Sequence, residues 1–333
     1  VKHLVAHFIL IGLALTLVGC AEKAETPSAD LSYQLGLLEK AKPFFAVVPD
    51  KMPGSENDTQ ARVDLGKKLY FETALSNTGD MSCNTCHDLA KAGVDNKATS
   101  EGTNGIPGPR NSPTVFNAGF HFVQFWDGRA KDLKEQAGGP ILNPAEMAVA
   151  DSGLAVKALR NIPEYAPMFD AAFGPNSIDF EHMTEALAAF ERTLVTHDRF
   201  DDFLRGDLQA LHMNELQGLE LFMSKACITC HTGPMLGANM YHKSGLMHPY
   251  KNAQDLGRFE VTGLEQDKYL FKVPALRNIA LTGPYFHDGG VSDLDKTVIM
   301  MGDIQLKKDI SAEEAAKISA FLSSLNGKQF KQI

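Results

Sequence analysis

Positive charge, tryptophan and cysteine are all scarce in this chain, and no apolar run reaches the length of a membrane span. Lys and Arg total 32 against 41 Asp and Glu, a formal net charge of −9 over 333 residues. That balance argues against nucleic acid as a partner, since phosphate binding needs a basic surface. The longest apolar stretch, Phe8 to Val18, is short for a transmembrane helix. Tryptophan occurs once, at Trp126, and cysteine five times.

Four of those cysteines fall into one repeated string. Cys83-Asn84-Thr85-Cys86-His87 recurs as Cys227-Ile228-Thr229-Cys230-His231, and C-x-x-C-H is the attachment pattern of covalent c-type haem. Three residues apart on a helical turn, the two thiols share a face and both reach the haem vinyl groups. The following histidine then turns a ring nitrogen to the iron. A zinc ribbon is the alternative for paired C-x-x-C, but 140 residues separate Cys86 from Cys227, far beyond zinc-ribbon spacing. A dithiol redox pair has no need of a histidine after each second cysteine. The chain is therefore expected to carry two haem c groups, with His87 and His231 as iron ligands.

The fifth cysteine closes a leader. Residues 1–19 carry Lys2, the apolar run and then Leu17-Val18-Gly19-Cys20, a secretory pattern ending in a lipobox-like string that predicts lipidation of Cys20. Export to the periplasm or cell envelope suits covalent haem, and the only membrane contact expected is the lipid anchor. With four thioethers and one lipid, no cysteine is left for a disulfide. Without residues 1–19 the chain has 31 basic and 41 acidic residues, a charge of −10. Composition marks Ala21 to about Ser32 as a tether, and residues 20–44 are assigned to lipidated N-terminus and tether.

An internal echo divides the remainder. Gly66-Lys67-Lys68-Leu69-Tyr70-Phe71 precedes the first haem string and Gly218-Leu219-Glu220-Leu221-Phe222-Met223 the second. Leu187, Phe190 and Leu194 have the mutual spacing of Ile318, Phe321 and Leu325, each an apolar helix stripe. The last helix opens with Ser311 and Glu314 at capping-box spacing. This predicts two related all-α domains, 45–196 and 197–328, with a tail at 329–333.

Between haem string and closing helix the first half carries Gly108-Pro109-Arg110-Asn111-Ser112-Pro113-Thr114, then Gln124 to Leu133 around Phe125-Trp126-Asp127-Gly128-Arg129, then Gln136 and Glu146. The second half carries Val273 to Gly290, VPALRNIALTGPYFHDGG. In these strings the chain resembles the dihaem bacterial cytochrome c peroxidases over nearly all of its length after the leader. The resemblance implies two cytochrome c-like domains joined around an inter-haem interface. Haem 1, on Cys83, Cys86 and His87, is then peroxidatic. Haem 2, on Cys227, Cys230 and His231, receives electrons, with Met301 as its second ligand and Met300 the neighbouring alternative. A His/Met pair fills both axial positions and raises the potential, as suits an electron carrier.

The same resemblance places Trp126 between the haems as an electron relay, although a lone tryptophan is by default a core aromatic. It implies a calcium ion held by Asn111 and the carbonyls of Thr282 and Pro284, and puts His287 near a haem propionate. Glu146 is implied as the general acid-base and Gln136 as the residue that orients bound hydrogen peroxide. A small cytochrome c or cupredoxin is the implied donor and a homodimer the implied assembly. One departure stands out: where many relatives place a blocking histidine, this chain has Thr103, and no histidine occurs between His87 and His121. Haem 1 is thus expected to be open at rest, with His121 or Met147 as the candidates for a substitute ligand. The competing function classes are a dihaem electron carrier or redox sensor without turnover, and a relative that oxidises a partner's side chains. Glu146 and Gln136 argue against the first and Met301 against the second.

Overall fold

A computed structural model describes residue 1 and residues 29–328. The leader, Cys20, the first part of the tether and the 329–333 tail lie outside the described residues. The chain order is α1 (Ala29–Ala41), α2 (Gln60–Tyr70), α3 (Cys83–Cys86), α4 (Leu133–Leu142), α5 (Ser152–Arg160), α6 (Tyr165–Phe173), α7 (Phe180–Glu191), α8 (Arg199–Leu204) and α9 (Met213–Ser224). A hairpin follows, β1 (Tyr241–Lys243) with β2 (Leu270–Lys272), separated by α10 (Phe259–Thr262); α11 (Leu294–Leu306) and α12 (Ala312–Ser323) close the chain. The fold is helical, with two cores of matching design.

In the first core α2 packs on α7, and in the second α9 packs on α12. Glycine sits at both crossings for the same reason. A Cβ on Gly66 would lie 1.9 Å from the Ala186 carbonyl oxygen and 2.8 Å from Phe190 Cβ, and one on Gly218 would lie 1.9 Å from the Lys317 carbonyl oxygen and 2.9 Å from Phe321 Cβ. Glycine inside a helix costs about 1 kcal/mol relative to alanine, and here it lets two helix backbones touch. Leu65, Leu69, Leu187, Phe190 and Leu194 fill the first core; Leu216, Leu219, Ile318, Phe321 and Leu325 fill the second. The capping box expected at Ser311 and Glu314 forms.

The 20–44 stretch differs from its reading as a tether. Its second part is α1, whose Leu37, Leu38 and Ala41 are buried against Phe200, Phe203 and Leu219 in the second core. Tyr33, Leu37, Leu38 and Ala41 have helix-face spacing, a signal hidden by the polar composition just before it. The chain leaving α1 is held by Arg277, whose guanidinium donates to Asp198 at 2.6 and 2.7 Å, lies 3.0 Å from Asp201, and reaches the carbonyls of Ala46 and Pro234. Asp201 also accepts the Val48 N–H at 3.0 Å. Removing one member of so buried a charge set costs about 3–5 kcal/mol, because the others are left unpaired.

A second echo runs through the loops. Pro113, Asn117, Phe125 and Gly128 recur 161 positions later as Pro274, Asn278, Phe286 and Gly289. Asn117 and Asn278 are both left-handed, at φ 62° and 66°, as are Phe125 and Phe286, at 65° and 67°. Both asparagine amides donate to the Thr196 hydroxyl, at 2.9 and 3.2 Å. The register makes Trp126 and His287 counterparts, one from each half.

Candidate active site and its neighbouring cavity

The first haem string opens onto a cavity of about 190 Å³. A single water needs about 10–15 Å³, so the space suits a much larger occupant. Ser82 and Thr85 exchange capping hydrogen bonds, fixing α3 so that Cys83, Cys86 and His87 all line this cavity. The Tyr70 hydroxyl donates to the His87 carbonyl at 2.6 Å. His87 Nδ1 is buried without a partner, and burial lowers the imidazole's pKa, favouring the neutral form that ligates metals.

Gln136 and Glu146 line the same cavity. Gln136 is carried by α4, which begins at the Asp132 cap. Glu146 Oε1 accepts from Asn143 Nδ2 at 2.7 Å. Burial raises the Glu146 carboxyl above the ordinary glutamate range, with Asn143 and the Arg129 charge pulling the other way. Glu146 is thus half-buried at the cavity. Its backbone carbonyl accepts the Thr103 N–H at 2.8 Å. Thr103 is 2% exposed and is not among the residues lining the cavity. Met147 borders the cavity from within the first core, and His121 borders it through the wall described below.

The second string opens onto a cavity of about 230 Å³ lined by Cys227, Cys230, His231, Met301, His287, Thr282 and Pro284. Here the cysteines lie on a 3₁₀ turn, not an α turn. His231 Nδ1–H donates to the Leu236 carbonyl at 2.9 Å. A carbonyl can only accept, so this tautomer leaves Nε2 with its lone pair, the arrangement of an oriented metal ligand. Burial pushes this imidazole down to about 4. Met301 lines the cavity, whereas Met300 lines a separate surface groove with Lys296 and Asp303. Consecutive helical residues point about 100° apart, which is why the two methionines face different ways.

Asn111, Pro113, Thr114, His121, Trp126 and Lys272 line both cavities and form the wall between them. Trp126 Nε1 donates to the Asn111 carbonyl at 2.9 Å. The neighbours of these two residues lock that bond: Arg110 pairs with buried Asp127 and, through two hydrogen bonds of 2.6 and 2.7 Å, with Asp255. The Asn111 amide nitrogen donates to the carbonyls of Lys97 and Ala98, so the oxygen end is the one available to a cation. Among the described residues no group of three or more His, Cys, Asp or Glu side chains is placed to hold a metal ion. His287 stacks on Phe271 at 4.3 Å, and its Nε2 is buried without a partner.

Apart from Met300, the residues assigned to the haems, the catalytic pair, the relay and the cation set line one cavity, the other or their shared wall. The residues fit one covalent haem in each: two thiols and a neutral histidine per cavity, with unpartnered buried ring nitrogens at His87 and His287. Lys272, which carries no motif, also belongs to this wall, and His121 stands in it beside Lys272. For His121 the 161-residue register was the available signal, since it sets that residue opposite Thr282.

Comparison with known proteins gives a consistent picture. A profile described as di-haem cytochrome c peroxidase matches residues 60–209. The chain is 46% identical to the cytochrome c551 peroxidase of Nitrosomonas europaea over 293 residues, 87% of this chain and 85% of that one. It is 44% identical to the cytochrome c551 peroxidase of Pseudomonas aeruginosa, covering 88% and 87% of the two chains. Among solved structures, a MauG-like protein associated with microbial copper homeostasis superposes with a TM-score of 0.76 at 28% identity, covering 85% of this chain and 94% of that one.

Proposed function

The chain belongs to the di-haem cytochrome c peroxidase family, and from that premise we propose that it reduces hydrogen peroxide to water outside the cytoplasmic membrane, using electrons from a small cytochrome c or cupredoxin. The observation that carries this reading is the unequal furnishing of the two cavities. A carboxyl and an amide, Glu146 and Gln136, line the cavity of His87, while a methionine, Met301, lines the cavity of His231. One cavity is equipped for proton transfer, and the other offers a histidine and a methionine that would hold a metal.

Bound in these cavities, haem would supply the redox chemistry, passing on electrons delivered by the donor. The protein's part is proton handling. Asn143 holds Glu146 Oε1, leaving Oε2 to take the proton from one peroxide oxygen and give it to the other, so that the second departs as water. Gln136, uncharged, can donate to or accept from peroxide and so orients it without competing for the proton. Trp126 in the shared wall is the relay between the cavities. Asn111 Oδ1 with the Thr282 and Pro284 carbonyls would offer calcium hard oxygen ligands. The test is a partner-free assay: the purified protein should carry two irons and one calcium per chain and consume hydrogen peroxide with a chemical electron donor. A protein holding both haems yet inert to peroxide under all reducing conditions would instead be an electron carrier or sensor.

The assignment of Met301 makes a separate prediction. Met301→Leu removes the sulfur from the second cavity and should lower the potential of haem 2 and slow turnover with the donor protein, because histidine plus methionine favours the reduced state. Met300→Leu should change neither. Reversed results in redox titration of the two variants would move the ligand to Met300.

A further inference from the structure

Lys272, the last residue of β2, is 6% exposed, and among the described residues no carboxylate forms an ion pair with it. Its Nζ lies 3.1 Å from His121 Nδ1 and 3.2 Å from the Val123 carbonyl oxygen. An ammonium has three N–H groups, so one is left over. Because His121 Nδ1 accepts from Lys272, the ring hydrogen sits on Nε2, and that atom is buried without a partner. Two adjacent side chains in the wall common to both cavities therefore hold unused donors. An isolated buried ammonium is costly, and burial pushes the Lys272 amine down to about 7. Asp127 is the one carboxylate that pulls it back up, and it is already engaged by Arg110 and Arg129.

Such a group calls for an anion, and the reading above, on which this inference rests, offers one: a haem c in each cavity would carry two propionates, and Lys272 and His121 line both cavities. We propose that Lys272, with His121 beside it, is a propionate anchor shared by the two haems. Its ammonium pairs with haem carboxylates from either side, and the His121 Nε2–H donates to one of them. A single fixed positive charge then favours the reduced state of both haems and relieves repulsion among propionates gathered at one wall. His287, from the opposite half of the 161-residue register, adds a third unpartnered polar atom, its Nε2, on the haem 2 side.

The experiment is a spectroelectrochemical titration of holoprotein, with haem counted per chain beforehand. Fewer than two haems per chain in the wild type would overturn the haem reading and the anchor with it. With two present, Lys272→Met should lower the reduction equilibrium constant of both haems by about tenfold, which is about 59 mV for a one-electron couple. Lys272→Arg keeps the charge and should restore both to within about twofold. Should Lys272→Met not fold, Lys272→Gln retains a hydrogen-bonding group without the charge and is expected to show the same paired drop. A shift in one haem alone, no shift, or an arginine variant that behaves like methionine would sink the shared anchor.

Discussion

Glu146→Gln is expected to keep both haems and to lose peroxide turnover by a factor of about 10²–10⁴, the usual contribution of a positioned acid-base group. The substitution is nearly isosteric. An amide oxygen accepts from Asn143 Nδ2 as Glu146 Oε1 does at 2.7 Å, and the backbone bond from Thr103 to the residue-146 carbonyl is untouched. What disappears is the capacity of Oε2 to take a proton and give it back.

The pH dependence separates this from a packing defect. Burial raises the Glu146 carboxyl, so the folded protein holds that proton more tightly than the unfolded chain does. Ionisation at neutral pH therefore works against the fold, and a permanently neutral glutamine should leave thermal stability unchanged or slightly higher. In the wild type the carboxylate is the form that accepts peroxide's proton. Catalytic efficiency should fall as pH drops through the raised pKa, at a higher pH than an exposed glutamate would give, and Glu146→Gln should abolish that limb. Unchanged turnover in the variant, or an acid limb that persists in it, would take the role away from Glu146.

How much of this was legible in the sequence depended on whether a residue's job is set by its neighbours along the chain or across the fold. The two C-x-x-C-H strings are local, and each lines its cavity as spacing suggests. The Gly66 and Gly218 echo was legible as pattern, but its cause, a carbonyl of the facing helix 1.9 Å from any added Cβ, belongs to the packed pair. Met300 and Met301 were inseparable by spacing because their difference is one of direction about a helix axis. Helix α1 is invisible to composition, because a polar stretch adjoins it, and shows only in the periodicity of Tyr33, Leu37, Leu38 and Ala41. Lys272 is the hardest case: in a strand a lysine is usually a solvated edge residue, and only tertiary structure reveals it bonded to His121 in a wall shared by two cavities.

The second large effect concerns the resting protein: fully oxidised enzyme should react with hydrogen peroxide before any reductant is added. Threonine offers no nitrogen to an iron, and Thr103 is buried at 2% with its N–H tied to the Glu146 carbonyl, off the cavity lining. The two substitute ligands have other engagements. His121 receives Lys272 at its Nδ1, and Met147 is packed in the first core at 4% exposed. A high-spin ferric signal in electron paramagnetic resonance, consumed on stopped-flow mixing with peroxide, is the expected result. Half-reduced protein should react at a rate within about twofold of this, because reduction has no ligand to release. Thr103→His should reverse the behaviour. An imidazole that occupies the open position in nine molecules of ten needs a preference of only about 1.4 kcal/mol, a tenfold ratio, and it would cut the reactivity of oxidised protein about tenfold until prior reduction frees the site. Two low-spin signals inert to peroxide in the wild type would overturn the open-site view. Recovery of a high-spin signal in His121→Ala would then identify His121 as the ligand that closes it.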